Sequence, residues 1–227
     1  MQKYAIILRK VFMVIYLLNN HRAFIGEIKM HAKLKIFSLV AVVMSLSLSA
    51  AQPYGPHTSD KWQIWAYSSA APFFLGNKAT IIGGDGKIIR QGTNGWTCQA
   101  GNPRSVPTKG WKNAHEAMPA CFDEVGAKWM EAFMKQEKPQ LSRSTFMWML
   151  HGDVGEDNTT PLVMNKADST PGEWIESGPH LMLIPVDAKD LANYSDDFMV
   201  GAPYVMMQDT DYAHIMIPTK GYYKYTK

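Results

Sequence analysis

Only two of the 227 residues are cysteine, Cys98 and Cys121, and no Cys-x-x-Cys element occurs. That argues against a thiolate zinc site and leaves the pair for a disulfide. The chain also lacks a Gly-x-Ser-x-Gly elbow, a His-Glu-x-x-His helix and a glycine-rich loop ending in Gly-Lys-Ser/Thr. It therefore carries none of the sequence marks of an α/β-hydrolase, a zincin or a P-loop protein. The acidic stretch Asp153, Glu156, Asp157 and Asn158 does not have the Asp-x-Asp/Asn-x-Asp/Asn-Gly spacing of a calcium loop and reads as a solvated turn. Val11 to Leu18 is apolar but too short to span a bilayer, and Arg9 and Lys10 break the run before it.

What is present begins with a leader. Met30 to Lys35 is basic, Ile36 to Leu48 is apolar, and Ser49-Ala50-Ala51 supplies small residues. This order predicts a secretory signal peptide over residues 30–51, cut after Ala51. Residues 1–29 are expected to be upstream sequence read through, with translation starting at Met30. The mature chain is then exported, periplasmic or extracellular, with no stable membrane anchor after cleavage. Seven of the 23 basic residues but one of the 20 acidic ones fall in residues 1–51, so the mature part has 16 against 19 and a net charge of −3. Nothing in it suggests a nucleic-acid surface. In an oxidising compartment the two cysteines are expected to pair, closing a loop of about two dozen residues.

Residues 52–74 read as a linker and N-terminal segment, and 75–220 as a single globular domain. Gly83-Gly84-Asp85-Gly86 between two apolar runs predicts a hairpin. Phe122, Val125, Trp129 and Phe133 recur at helical spacing and predict one main helix over 122–136, with its stripe serving as core. Strands are expected at 144–150, 180–185, 203–208 and 213–218. Together these indicate an α+β fold, a mainly antiparallel sheet packed on one main helix.

Two of the strands spell nearly one phrase: His180-Leu181-Met182-Leu183-Ile184-Pro185 and His214-Ile215-Met216-Ile217-Pro218. Residues two apart in a strand share a face, so each places an imidazole beside a thioether. If strand 144–150 pairs antiparallel with 180–185, His151 meets His180 at one sheet edge, and His214 joins them if its strand runs parallel to 180–185. Such a group, His151, His180 and His214 with Met182 and Met216, would suit zinc or copper, the thioethers favouring Cu(I). Methionine is also ordinary core filler. His57 and His115 read as surface or capping residues.

The phrases Gly92-Thr93-Asn94-Gly95-Trp96-Thr97-Cys98, Gly152-Asp153-Val154-Gly155 with Asn158-Thr159, Gly178-Pro179-His180 and Tyr212 to Pro218 resemble those of an uncharacterised family of exported bacterial proteins. The resemblance covers most of residues 75–218. It implies export and a shared fold, and no activity is carried over with it. That family often has an aromatic-acidic turn in the first hairpin, where this chain has Gly83 to Gly86. Three functional readings stand: a binding protein for a small ligand or metal, a hydrolase built on His151, Asp153 and His180 with Ser142 or Ser144 as weak nucleophile candidates, and a structural or interaction protein with no small-molecule site.

Overall fold

The computed structural model describes residues 51–226; the upstream stretch and all but the last residue of the expected signal peptide lie outside the described residues. The first described helix, α1 (Asp60–Ser68), starts where the Ser59 hydroxyl accepts the Trp62 N–H. Trp62, Ala66 and Tyr67 follow at helical spacing and are buried. Residues 52–74 are therefore not simply a linker. Their proline- and glycine-rich start hides a capped helix that belongs to the core.

The elements that follow are α2 (Phe73–Gly76), β1 (Thr80–Ile82), β2 (Ile88–Arg90), β3 (Thr97–Ala100), α3 (Ala114–Ala117), β4 (Pro119–Phe122) and α4 (Glu124–Lys135). Beyond them come β5 (Thr145–Met149), the short pair β6 (Glu156–Asp157) and β7 (Trp174–Ile175), then β8 (His180–Ile184), β9 (Tyr204–Met206) and β10 (His214–Pro218). Eight strands form one sheet in the order β2-β1-β3-β4-β5-β8-β10-β9, while β6 and β7 pair separately. Only β1 and β3 run parallel; the other pairings are antiparallel. The fold is α+β with a mainly antiparallel sheet. No described helix is long and apolar enough to cross a membrane.

The alternation of β4 divides the core. Ala120 and Phe122 face α4, where Trp129 and Phe133 stack at 5.3 Å. Cys121 points the other way, towards Trp62 and Tyr67 of α1. It is bonded to Cys98, its register partner on β3, so the disulfide lies inside this second core. Burying Trp129, Phe133 and Val125 of α4 contributes roughly 1.5–3 kcal/mol per side chain. That apolar stripe, rather than intrinsic propensity, holds the helix in place.

Helix α4 begins two residues later than its periodicity suggests, because Phe122 pairs with Met147 as the last residue of β4. Asp123 makes the break. Its carboxylate accepts the Val125 and Gly126 N–H groups at 3.0 and 2.9 Å, the Thr145 hydroxyl at 2.7 Å and the Arg143 guanidinium at 2.7 Å. Burial alone would raise its pKa, but the hydrogen bonds from Gly126, Thr145 and Arg143 hold it below the usual carboxylate value. Asp123 thus caps α4 and ties it to β5. Asp123→Ala is expected to lower stability by about 1–2 kcal/mol, read as the urea unfolding midpoint, with Asp123→Asn recovering part of the loss.

Candidate metal centre

Strand β8 presents His180, Met182 and Ile184 on one buried face and Leu181 and Leu183 on the other. Its neighbours are set by register. Met147 of β5 and Met216 of β10 flank Met182, while Met149 lies beside His180. His214 is one position past the Ile215–Leu183 pair, and Met206 of β9 lies next to it. The two copies of the repeated phrase therefore run antiparallel about their methionines. Met182 and Met216 meet at the centre of the strand pair, and the two histidines stand at opposite ends of the same face.

Between this face and α4 is a small chamber of about 30 Å³, room for one water or one ion. His180, His214, Met182 and Met216 all line it, with Trp129 and Met147 among the side chains closing it. Both imidazoles are oriented by backbone carbonyls. His180 Nδ1 donates to Gly178 O at 2.8 Å, with Ser177 Oγ at 3.3 Å, and His214 Nδ1 donates to Tyr212 O at 2.9 Å. Donation from Nδ1 leaves Nε2 as the lone-pair nitrogen. Neither Nε2 has a hydrogen-bond partner among the described residues. Burial pushes both pKa values down to about 4, against the hydrogen bonds to Gly178 and Tyr212, so both rings are neutral at neutral pH.

Two carboxyls form one wall of the chamber, Asp153 and Glu156. Asp153 is buried, not solvated, and Asp157 and Asn158 are buried with it. The acidic stretch is thus folded inward, with backbone donors meeting its aspartates: Asp157 accepts the N–H groups of Thr159 and Thr160 at 2.8 Å each, while the Asn158 Oδ1 is buried without a hydrogen-bond partner among the described residues. Burial raises the pKa of Asp153 against the hydrogen bonds it accepts from Ser177 and Gly155. Burial and the neighbouring Asp153 charge push Glu156 up to about 8, with Arg104 opposing. Glu156 and both imidazoles are consequently uncharged at neutral pH.

Neutral imidazole and thioether make a soft donor set, the kind that favours Cu(I) over zinc. Zinc prefers four nitrogen, thiolate or carboxylate donors, and no group of three or more His, Cys, Asp and Glu side chains is placed to hold a metal among the described residues.

His151 does not join the site. Strands β5 and β8 are antiparallel, as the edge geometry requires, but β10 is antiparallel to β8 as well, which carries His214 away from that edge. His151 itself lies beyond the end of β5. Its Nε2 is 2.8 Å from the Ser69 hydroxyl at the C-cap of α1, and its carbonyl is 2.7 Å from His115 Nδ1. Burial, with the charges of Lys224 and His115, pushes its pKa down to about 4. His57, read as a surface or capping residue, is half-buried, stacks on Trp62 at 4.3 Å and bonds Trp111 O at 2.6 Å.

The hydrolase arrangement is not assembled either. Asp153 and His180 share the chamber without His151. Ser177, the serine nearest them, is buried and donates its hydroxyl proton to Asp153, while His180 Nδ1 is engaged with Gly178 O. A nucleophilic serine needs its proton directed at a basic imidazole nitrogen, which this geometry does not provide. Ser142 and Ser144 are exposed and line none of the chamber.

Met147, Met206, Glu156 and Trp129 line the site without having been singled out as donors or walls. The alternation Met147-Trp148-Met149 carried the signal for one of them; Trp129 read as core because core and chamber wall have the same periodicity. Comparison with protein-family models, with curated proteins and with solved structures gave no match.

Proposed function

We propose that this protein is an exported, periplasmic or secreted, binding protein that holds one Cu(I) ion between His180 and His214 with Met182 and Met216. The observation that carries this reading is the pair of carbonyl-oriented imidazoles that line the same small chamber as two register-paired thioethers, with neither Nε2 hydrogen-bonded among the described residues. Orientation of a ligating histidine through its other ring nitrogen is the usual support around a metal. Export is supported by the pattern of residues 30–51, by the resemblance of its motifs to those of exported bacterial proteins and by the Cys98–Cys121 disulfide. In this role the chain shields the ion from water and oxidants and carries it; no bond of a substrate is broken.

The test is titration of the purified mature chain with Ag(I), a redox-inert stand-in, and with Cu(I) under a competing chelator. One equivalent is expected to bind. His180→Ala/His214→Ala is expected to abolish uptake, and Met182→Leu or Met216→Leu to weaken it by about tenfold, a loss of roughly 1.4 kcal/mol. Uptake that survives in the double-histidine variant would refute the site.

A further inference from the structure

The chamber is narrow and lined mainly by buried side chains, and two of its sides are held by different means. Behind the Asp153–Glu156 wall, Arg104, which does not itself line the chamber, straps the adjoining segments together. Its guanidinium donates to Gly155 O at 3.3 Å and to Met164 O, and its Nη1 is 3.4 Å from Asn102 Oδ1. Opening there would break several hydrogen bonds to a charged group at once. On the α4 side the wall is Trp129. No hydrogen bond holds its indole among the described residues; it rests on ring contacts with Phe133 at 5.3 Å, His214 at 5.4 Å and Tyr212 at 6.5 Å.

The same Trp129 also lines a surface groove of about 220 Å³, formed by the segment after α4 (Pro139 to Leu141) and by the turn after β8 (Pro185 to Ala188). Trp129 therefore stands between the chamber and the groove. The groove carries the carboxylates of Asp187 and Asp211, with Lys138 paired to Asp211 at 3.3 Å. Carboxylates at the mouth of a narrow passage raise the local concentration of cations.

We propose that a monovalent soft cation reaches the chamber from this groove past Trp129, whose indole is the movable wall, and not past the Arg104 strap. The choice of cation rests on the metal reading above; the position of the entrance does not. Rotation of the indole exchanges ring contacts without stranding any polar group, whereas release of Arg104 strands several. The swing also exposes His214, the ligand in edge-to-face contact with Trp129.

The entrance is tested without metal by the rate at which hydrogen peroxide oxidises Met182 and Met216, read by peptide mass spectrometry in the folded mature chain. Trp129→Leu is expected to speed this oxidation by about tenfold, and Arg104→Ala to leave it near the wild-type rate. Ile81→Ala, in the other core and used at matched urea midpoint, controls for destabilisation and is expected to behave like Arg104→Ala. A second variant keeps the wall intact: Val186→Cys, labelled in the groove with a bulky maleimide, is expected to slow oxidation, and to slow Ag(I) loading in stopped flow. Equal acceleration by Trp129→Leu and Arg104→Ala, or acceleration by Arg104→Ala alone, overturns the proposal. So does a labelled Val186→Cys protein that oxidises at the wild-type rate. Faster oxidation in Trp129→Leu with no Ag(I) uptake by the wild type would keep the entrance and reject the metal.

Discussion

Gly152→Ala is expected to destabilise the protein by on the order of 3–4 kcal/mol and to abolish metal uptake, a larger effect than removal of any single ligand. Gly152 has φ +70°, in the left-handed region, and follows the strand that carries Met147 and Met149. A Cβ there would overlap the Ser177 carbonyl oxygen and come within 2.8 Å of the Gly178 carbonyl carbon. These are backbone atoms, so no side-chain rotation relieves the overlap. The crossing is tight because three segments meet: Asp153 N–H donates to Ser177 O at 3.1 Å, and Gly178 N–H donates to Tyr222 O at 2.6 Å. Gly178 is squeezed in the same way, its absent Cβ lying 2.8 Å from the Tyr222 carbonyl carbon. This crossing sets the Gly178 carbonyl that fixes the tautomer of His180. Urea unfolding followed by circular dichroism measures the stability loss, and Ag(I) titration of the folded fraction measures the site. An unchanged midpoint would show that the backbone crossing is looser than its geometry implies.

The second large effect concerns the disulfide. Cys98→Ala/Cys121→Ala is expected to lower stability by about 3–4 kcal/mol, the chain-entropy value for a loop of this length, and the melting temperature by roughly 10 °C. The two residues are 23 apart in sequence and register partners on β3 and β4. Both are fully buried, beneath Tyr67 of α1, whose carbonyl lies 3.5 Å from Cys121 Sγ. Dithiothreitol is therefore expected to leave the bond intact in native buffer and to cleave it once urea opens the second core. Free-thiol titration at increasing urea measures this. Rapid reduction of the folded protein would contradict the burial. Because the disulfide and the chamber belong to different cores, the double variant is expected to keep its Ag(I) stoichiometry at temperatures where it stays folded.

Much of the architecture was legible because it rests on local signals. The stripe through Val125, Trp129 and Phe133 became α4, and the glycine cluster at 83–86 became the β1–β2 turn. The two cysteines paired, as an even number without a Cys-x-x-Cys element suggested. Other local signals were masked by their surroundings. Ser59 capping the Trp62–Tyr67 repeat lay next to prolines and glycines that suggested a linker. The acids from Asp153 to Asp157 looked solvated because charge is normally exposed, yet they fold inward where backbone donors meet them.

The repeated His-x-Met phrase marks the boundary between the two kinds of information. Strand periodicity alone determined that His180 and Met182 share a face, as do His214 and Met216, since alternation is a property of the extended backbone. Tertiary structure decided how the two copies meet. Strand direction and register depend on long-range pairing, which no short stretch of sequence encodes. The antiparallel pairing of β8 with β10 brought the methionines together, set the histidines at the two ends of one chamber, and left His151 outside it, bonded to Ser69.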